Sequence, residues 1–193
     1  MENTFLEFLK RFRYLSPKDL YNLYNIAKLK KYKAGETIVR EGDFFKYTLG
    51  ISKGLIRTYV ITHEGEERTV RFAREGQYAG SSASVINNKP SFEYLEVLED
   101  TFCIELDLVA LKKLTENNIR ILRLWDDGIC EAFVEAIDRV QFLTTLSPEQ
   151  RYRQLLKENP SLINRVQQKH LASYLGITTV SLSRIRSRVL SKD

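Results

Sequence analysis

The chain has 193 residues, 43% of them apolar and 28% charged, which suits a packed globular protein and not a disordered one. No apolar run approaches the roughly 20 residues needed to cross a bilayer, and Met1-Glu2-Asn3-Thr4-Phe5 opens no secretory leader. Residues 147–193 carry nine Lys/Arg against three Asp/Glu, while the residues before them carry 21 against 22, so the net charge of +5 comes from a basic end on a neutral body.

Such a basic module is the footprint of a polyanion contact. Two cysteines, Cys103 and Cys130, are too few for a disulfide framework or a four-sulfur metal site. A reducing cytoplasm is the expected location, with both thiols packed as small buried side chains.

In chain order, residues 2–29 have helical spacing. Phe5, Phe8, Leu9 and Phe12 come first, then Leu20, Leu23, Tyr24 and Ala27, with Ser16-Pro17 as a helix start between them. From about 31 to 106 the pattern shortens to Glu36–Arg40, Tyr47–Ile51, Leu55–Ile61, Glu67–Phe72 and Cys103–Leu106. Turn signals at Glu41-Gly42-Asp43, Lys53-Gly54, His63-Glu64-Gly65 and Glu75-Gly76 separate these segments. Short strands at such intervals predict an all-β barrel or sandwich.

A single long helix is expected from Leu108 to Leu146. Ile119, Asp126, Phe133 and Val140 repeat every seven residues, and Leu122, Ile129, Ala136 and Leu143 follow at an offset of three. This is an a/d seam with one polar member, Asp126, and it predicts a homodimer. Trp125 lies off the seam and is expected to pack on the barrel.

Ser147-Pro148-Glu149-Gln150 is a capping box that opens a helix ending near Asn159-Pro160. A second helix is expected over Gln168–Leu175 and ends at Gly176, where a sharp left-handed turn is needed. Ile177 plugs the turn, and Thr178 caps a third helix. There Leu182, Ile185 and Val189 form the inner side, and Val180, Ser183, Arg184 and Ser187 the outer. An outer face of short polar groups and Arg can enter a major groove, with Arg186 and Arg188 at its flanks beside phosphates.

Leu171-Ala172-Ser173-Tyr174-Leu175-Gly176-Ile177-Thr178 and Leu182-Ser183-Arg184-Ile185-Arg186 resemble the helix-turn-helix of Crp/Fnr-type regulators, of the short Bacteroidetes type. Glu41-Gly42-Asp43 and Leu49–Arg57 resemble the first strands of that family's sensor barrel. The resemblance implies an α+β chain. It has a jelly-roll, cyclic-nucleotide-binding-like sensor with N-terminal helices over 1–107, a dimerisation helix over 108–146 and a helix-turn-helix domain over 147–193. It also implies double-stranded DNA as partner, with RNA polymerase and an unidentified small-molecule effector as further candidates. Arg184 takes the base-reading position with Thr179 and Val180 beside it, and Gln167 and Gln168 meet phosphate.

Two departures bear on the signal. Cyclic-nucleotide members carry Gly-Glu-Leu for the ribose and Arg-Ser-Ala for the phosphate. Here Gly80 is followed by Ser81 and Ser82, and Ser91-Phe92-Glu93 replaces the triplet. A buried phosphate needs a charge-assisted partner. Without that Arg, and with Glu93 in its vicinity, cyclic AMP is not expected, and only Lys89 or Arg71 could stand in. The cysteine cluster of the iron–sulfur sensors is absent as well, so no cofactor is expected. With Asp193 closing the printed sequence soon after the third helix, the family's β-hairpin wing is expected to be missing or vestigial.

The competing class is a cupin-like β-barrel metalloenzyme, or a small-ligand-binding protein whose helical tail is structural. Metal sites of that kind need several inward His with a carboxylate. The barrel region offers His63 beside Glu64 in a turn, and His170 lies in the helix-turn-helix.

Overall fold

The computed structural model describes residues 12–190; the predicted helical positions Phe5, Phe8 and Leu9 lie outside them. Ser16 opens helix α1 (Pro17–Asn25) through a capping box: its hydroxyl accepts from the Asp19 amide at 3.2 Å, and its own amide donates to the Asp19 carboxylate at 2.8 Å. Asp19 is 1% exposed. Its carboxylate also accepts from Arg120 Nε and Asn118 Nδ2, both at 2.5 Å, and the Arg120 hydrogen bond does most to hold it well below the usual carboxylate range.

The helical reading fails at Ala27. Helix α1 stops at Asn25, and strand β1 (Ala27–Tyr32) pairs antiparallel with β6 (Tyr94–Asp107). Pairing with a distant strand overrides local spacing here. Strand β2 (Thr37–Val39) also pairs with β6.

The two segments expected at Tyr47–Ile51 and Leu55–Ile61 are one strand, β3 (Tyr47–Ile61), because Lys53-Gly54 makes a bulge and not a turn. Gly54 has φ +115°, and a Cβ there would lie 2.7 Å from Thr101 Cα, so no other residue fits. Strand β4 (Glu67–Arg74) follows, then β5 (Tyr78–Ala79) and the short helix α2 (Ser82–Asn87). Among the described residues the strands form one sheet ordered β1-β6-β3-β4, with β2 on β6 and β5 on β3.

Val39, Leu49, Ile51, Ile56, Ala73, Leu95 and Cys103 are buried together under this sheet. Each fully buried large apolar side chain contributes about 1.5–3 kcal/mol. The Cys103 thiol is pushed up to about 11 by burial, with Glu105 adding to it, so this cysteine packs as expected. Cys130 does not: it is exposed on α4.

The long helix predicted from Leu108 is two helices, α3 (Leu108–Thr115) and α4 (Ile119–Thr145). Asn118 makes the break: its Oδ1 accepts from the Arg120 and Ile121 amides at 3.1 and 3.3 Å, capping α4. Trp125 packs against the cluster of Leu15, Leu23, Leu108, Leu111 and Ile121, which Leu106 of β6 also joins.

The remaining helices are α5 (Pro148–Glu158), α6 (Pro160–Arg165), α7 (Gln168–Leu175) and α8 (Thr179–Leu190). Pro160 therefore does more than end α5: it opens α6, since its fixed φ suits a first turn. Residues 1–60 with 71–130 form one compact unit, and residues 61–70 with 131–193 form a second. Among the described residues no helix is long and apolar enough to cross a membrane.

Candidate nucleic-acid interface

The Ser147 capping box forms as the sequence predicts, with the Ser147 amide donating to Gln150 Oε1 at 2.9 Å. Helix α7 ends at Gly176, which has φ 67° and ψ 36°, and the Ile177 amide reaches back to the Ala172 carbonyl at 3.0 Å. Thr178 Oγ1 then accepts from the Ser181 amide at 3.1 Å and starts α8. Leu171, Ala172, Leu175, Leu182, Ile185 and Val189 are all buried, so the inner faces of α7 and α8 are fixed against each other and against α5. His170, also on α7, is buried as well.

What remains outside is the predicted reading face. Thr179, Val180, Ser183, Arg184 and Ser187 are exposed on α8, as are Gln167, Gln168 and Lys169 at the start of α7. Arg186 is half-buried at the edge of that face. No carboxylate side chain occurs between Glu158 and Asp193. A phosphate approaching α7 and α8 therefore meets no like charge from this stretch.

Arg188, expected beside phosphate at the flank of this face, also meets a carboxylate. Its Nη1 lies 3.6 Å from Glu149, whose carboxylate also takes Arg153 at 3.1 Å. Arg188 is tied to the first turn of α5 even though its side chain is largely exposed.

On α4 the predicted seam is only partly solvent-facing. Ile119 (74%), Phe133 (66%), Val140 (57%) and Leu143 (39%) are exposed, as are Asp126 and Ala136, while Leu122 and Ile129 are half-buried. Val134 and Ile137, which strict heptad counting leaves out, are exposed as well. The uncovered apolar strip therefore runs through Phe133, Val134, Ile137, Val140 and Leu143. An untwisted helix drifts from a seven-residue repeat, so the strip takes in Val134 and Ile137 beside the a and d residues Phe133, Val140 and Leu143.

The predicted ligand positions lie around α2. Gly80 is half-buried, and a Cβ there would press on the Tyr47 carbonyl at 3.2 Å. Ser81 is fully buried and caps α2, accepting from the Ser84 amide at 3.4 Å. Ser91 is buried and bonded to the Glu93 backbone in both directions, at 2.9 and 3.1 Å. Lys89 is exposed.

Glu93 was expected only to repel a phosphate, and the structure gives it a stronger role. Its carboxylate, in a residue 8% exposed, accepts from both the Ser82 amide (3.2 Å) and the Ser82 hydroxyl (3.1 Å). It occupies the donors that begin α2. Arg71, the other candidate substitute, donates to the Tyr78 carbonyl.

Residues 29–118 match the family model described as cyclic nucleotide-binding domain. The fumarate and nitrate reduction regulatory protein of Escherichia coli strain K12 is 26% identical, over 90% of this chain and 74% of its own length. The regulator of the same description from Yersinia pestis is 27% identical over the same shares. In sequence and fold the chain is similar to the Crp/Fnr transcriptional regulators.

Solved structures agree at the level of fold. FixK2 from Bradyrhizobium japonicum superposes with a TM-score of 0.76 at 19% identity, over 86% of each chain. CLP from Xanthomonas campestris, a c-di-GMP responsive global regulator, gives 0.70 at 14% identity, over 90% of this chain and 91% of its own. Crp/Fnr relatives are regulators and not enzymes, so the metalloenzyme reading falls. His63 sits exposed in the 61–70 hairpin, and among the described residues no group of three or more His, Cys, Asp or Glu could hold a metal.

Proposed function

We propose that this Crp/Fnr-like regulator acts as a cytoplasmic homodimer that reads DNA with α8 and does not take cyclic AMP in its sheet unit. The observation that carries the DNA reading is the face of Thr179, Val180, Ser183, Arg184 and Ser187, which is exposed on a capped helix in a stretch without carboxylates. Gln167 and Gln168, exposed at the start of α7, suit phosphate contact at a helix N-terminus. The apolar strip of α4 supports the dimer, since contiguous exposed apolar surface marks an interaction site. A small-molecule effector other than a cyclic nucleotide, and contact with RNA polymerase, complete the proposal. Selection of bound duplexes by the purified protein tests its DNA half.

The effector half has its own test. Glu93 holds the Ser82 donors, and no Arg occurs between Arg74 and Arg120 to pair a phosphate. Calorimetric titration with cyclic AMP or cyclic GMP should give no saturable heat at micromolar levels. Saturable binding of either would refute this half of the proposal. Glu93→Ala alone should not create a site, because it removes the competing carboxylate without supplying a charge-assisted partner.

A further inference from the structure

Helix α7 is held from behind by residues that stand apart from the reading face. Ser173 is half-buried, away from Gln167 and Gln168. Its hydroxyl accepts the Thr69 amide at 2.8 Å and donates to the Glu67 carbonyl at 3.1 Å, so one side chain engages two backbone groups of β4. Strand β4 ends the main strand order of the sheet, where backbone groups need such cover.

The next residue is held from α4. Arg139 Nη2 donates to the Tyr174 carbonyl at 2.5 Å and reaches the Thr69 carbonyl at 3.5 Å, with its guanidinium 3.9 Å from the Tyr174 ring centre. The last turn of α7 has no basic residue of its own, so Arg139 supplies the cation its carbonyl end favours. Thr69, 3% exposed, therefore has its amide on Ser173 and its carbonyl on Arg139. Hairpin, α4 and α7 meet here within one compact unit, two residues before Gly176 launches α8.

We infer that Ser173 and Arg139 are positioning residues for DNA reading, fixing the end of α7, and through Gly176 the aim of α8, against the 61–70 hairpin. This rests on the proposed DNA-binding role of α8. The clasp leaves the reading face uncovered, so the clasped form is the one competent to bind.

Full-length Ser173→Ala should bind its selected duplex about tenfold more weakly than wild type, the effect of losing two ordinary hydrogen bonds. The loss should be equal across base substitutions, with the salt slope unchanged, since no phosphate contact goes. Ser173→Thr keeps the hydroxyl and should bind like wild type. Hydrogen exchange should show the Thr69 amide opening faster in Ser173→Ala and not in Ser173→Thr. Wild-type affinity in Ser173→Ala, equal weakness in Ser173→Thr, or a flattened salt slope would overturn the inference. If wild type binds no duplex, the DNA reading fails separately. Thr69 exchange then still decides the clasp: unchanged exchange in Ser173→Ala removes it.

Discussion

Replacing Arg184 by Ala is expected to erase discrimination at one base pair in each half of the operator. The side chain is exposed on α8, on the side opposite the buried Leu182, Ile185 and Val189, so it contributes little to packing. Its guanidinium offers donors in a fixed fork that match the O6 and N7 acceptors of guanine, a pairing that discriminates by about 1–3 kcal/mol. Arg184→Ala should therefore bind the selected site roughly 5–150-fold more weakly per half-site, and should accept other bases at that position. Arg184→Lys should be nearly as damaging, because an ammonium keeps the charge and loses the fork. A phosphate contact behaves otherwise: Lys would largely suffice, and every sequence would suffer alike. Binding of both variants to a panel of single-base operator changes separates the two roles, and uniform loss in Arg184→Ala would remove the base-reading one.

The second large effect concerns assembly. Phe133 and Val140 are 66% and 57% exposed, one heptad apart, in a strip continued by Val134 and Ile137. In a two-fold dimer built on that strip, Phe133→Glu with Val140→Glu brings four carboxylates into one apolar contact. Burying unpaired charge costs far more than such a contact gains. Sedimentation should find the double variant monomeric and wild type dimeric. Affinity for a two-half-site operator should fall by about two to four orders of magnitude, the usual gain from linking two binding events. A double variant that still sediments as a dimer would place the interface elsewhere.

The helix-turn-helix was legible because its signals are local. A Ser-Pro-Glu-Gln box, a Gly at the turn and a Thr before the recognition helix each act within one turn of chain, and each forms as written at Ser147, Gly176 and Thr178. What escaped was decided by partners distant in sequence. Ala27–Tyr32 is a strand because β6 pairs with it, and the bulge at Gly54 brings its backbone so close to Thr101 that only Gly fits. The break at Asn118 did carry a local signal, an Asn cap, but apolar spacing on both sides masked it.

The same holds within the candidate sites. The outer face of α8 followed from helical periodicity alone. That Glu93 fills the Ser82 donors, that Arg188 reaches Glu149, and that Ser173 and Arg139 grip the 61–70 hairpin depend on the packing of elements far apart in the chain. The α4 strip lies between these cases: its register was readable, but which side its own unit covers was not.

As proposed, this chain reads DNA as a two-fold dimer through α8. Selection from fragmented genomic DNA with the purified wild-type protein tests it most directly. The expected result is enrichment of a pseudo-palindrome whose half-sites lie about 10–10.5 base pairs apart, centre to centre, each with a guanine whose importance disappears in Arg184→Ala. Recovery of no enriched sequence, or of a motif unchanged by Arg184→Ala, would contradict the account.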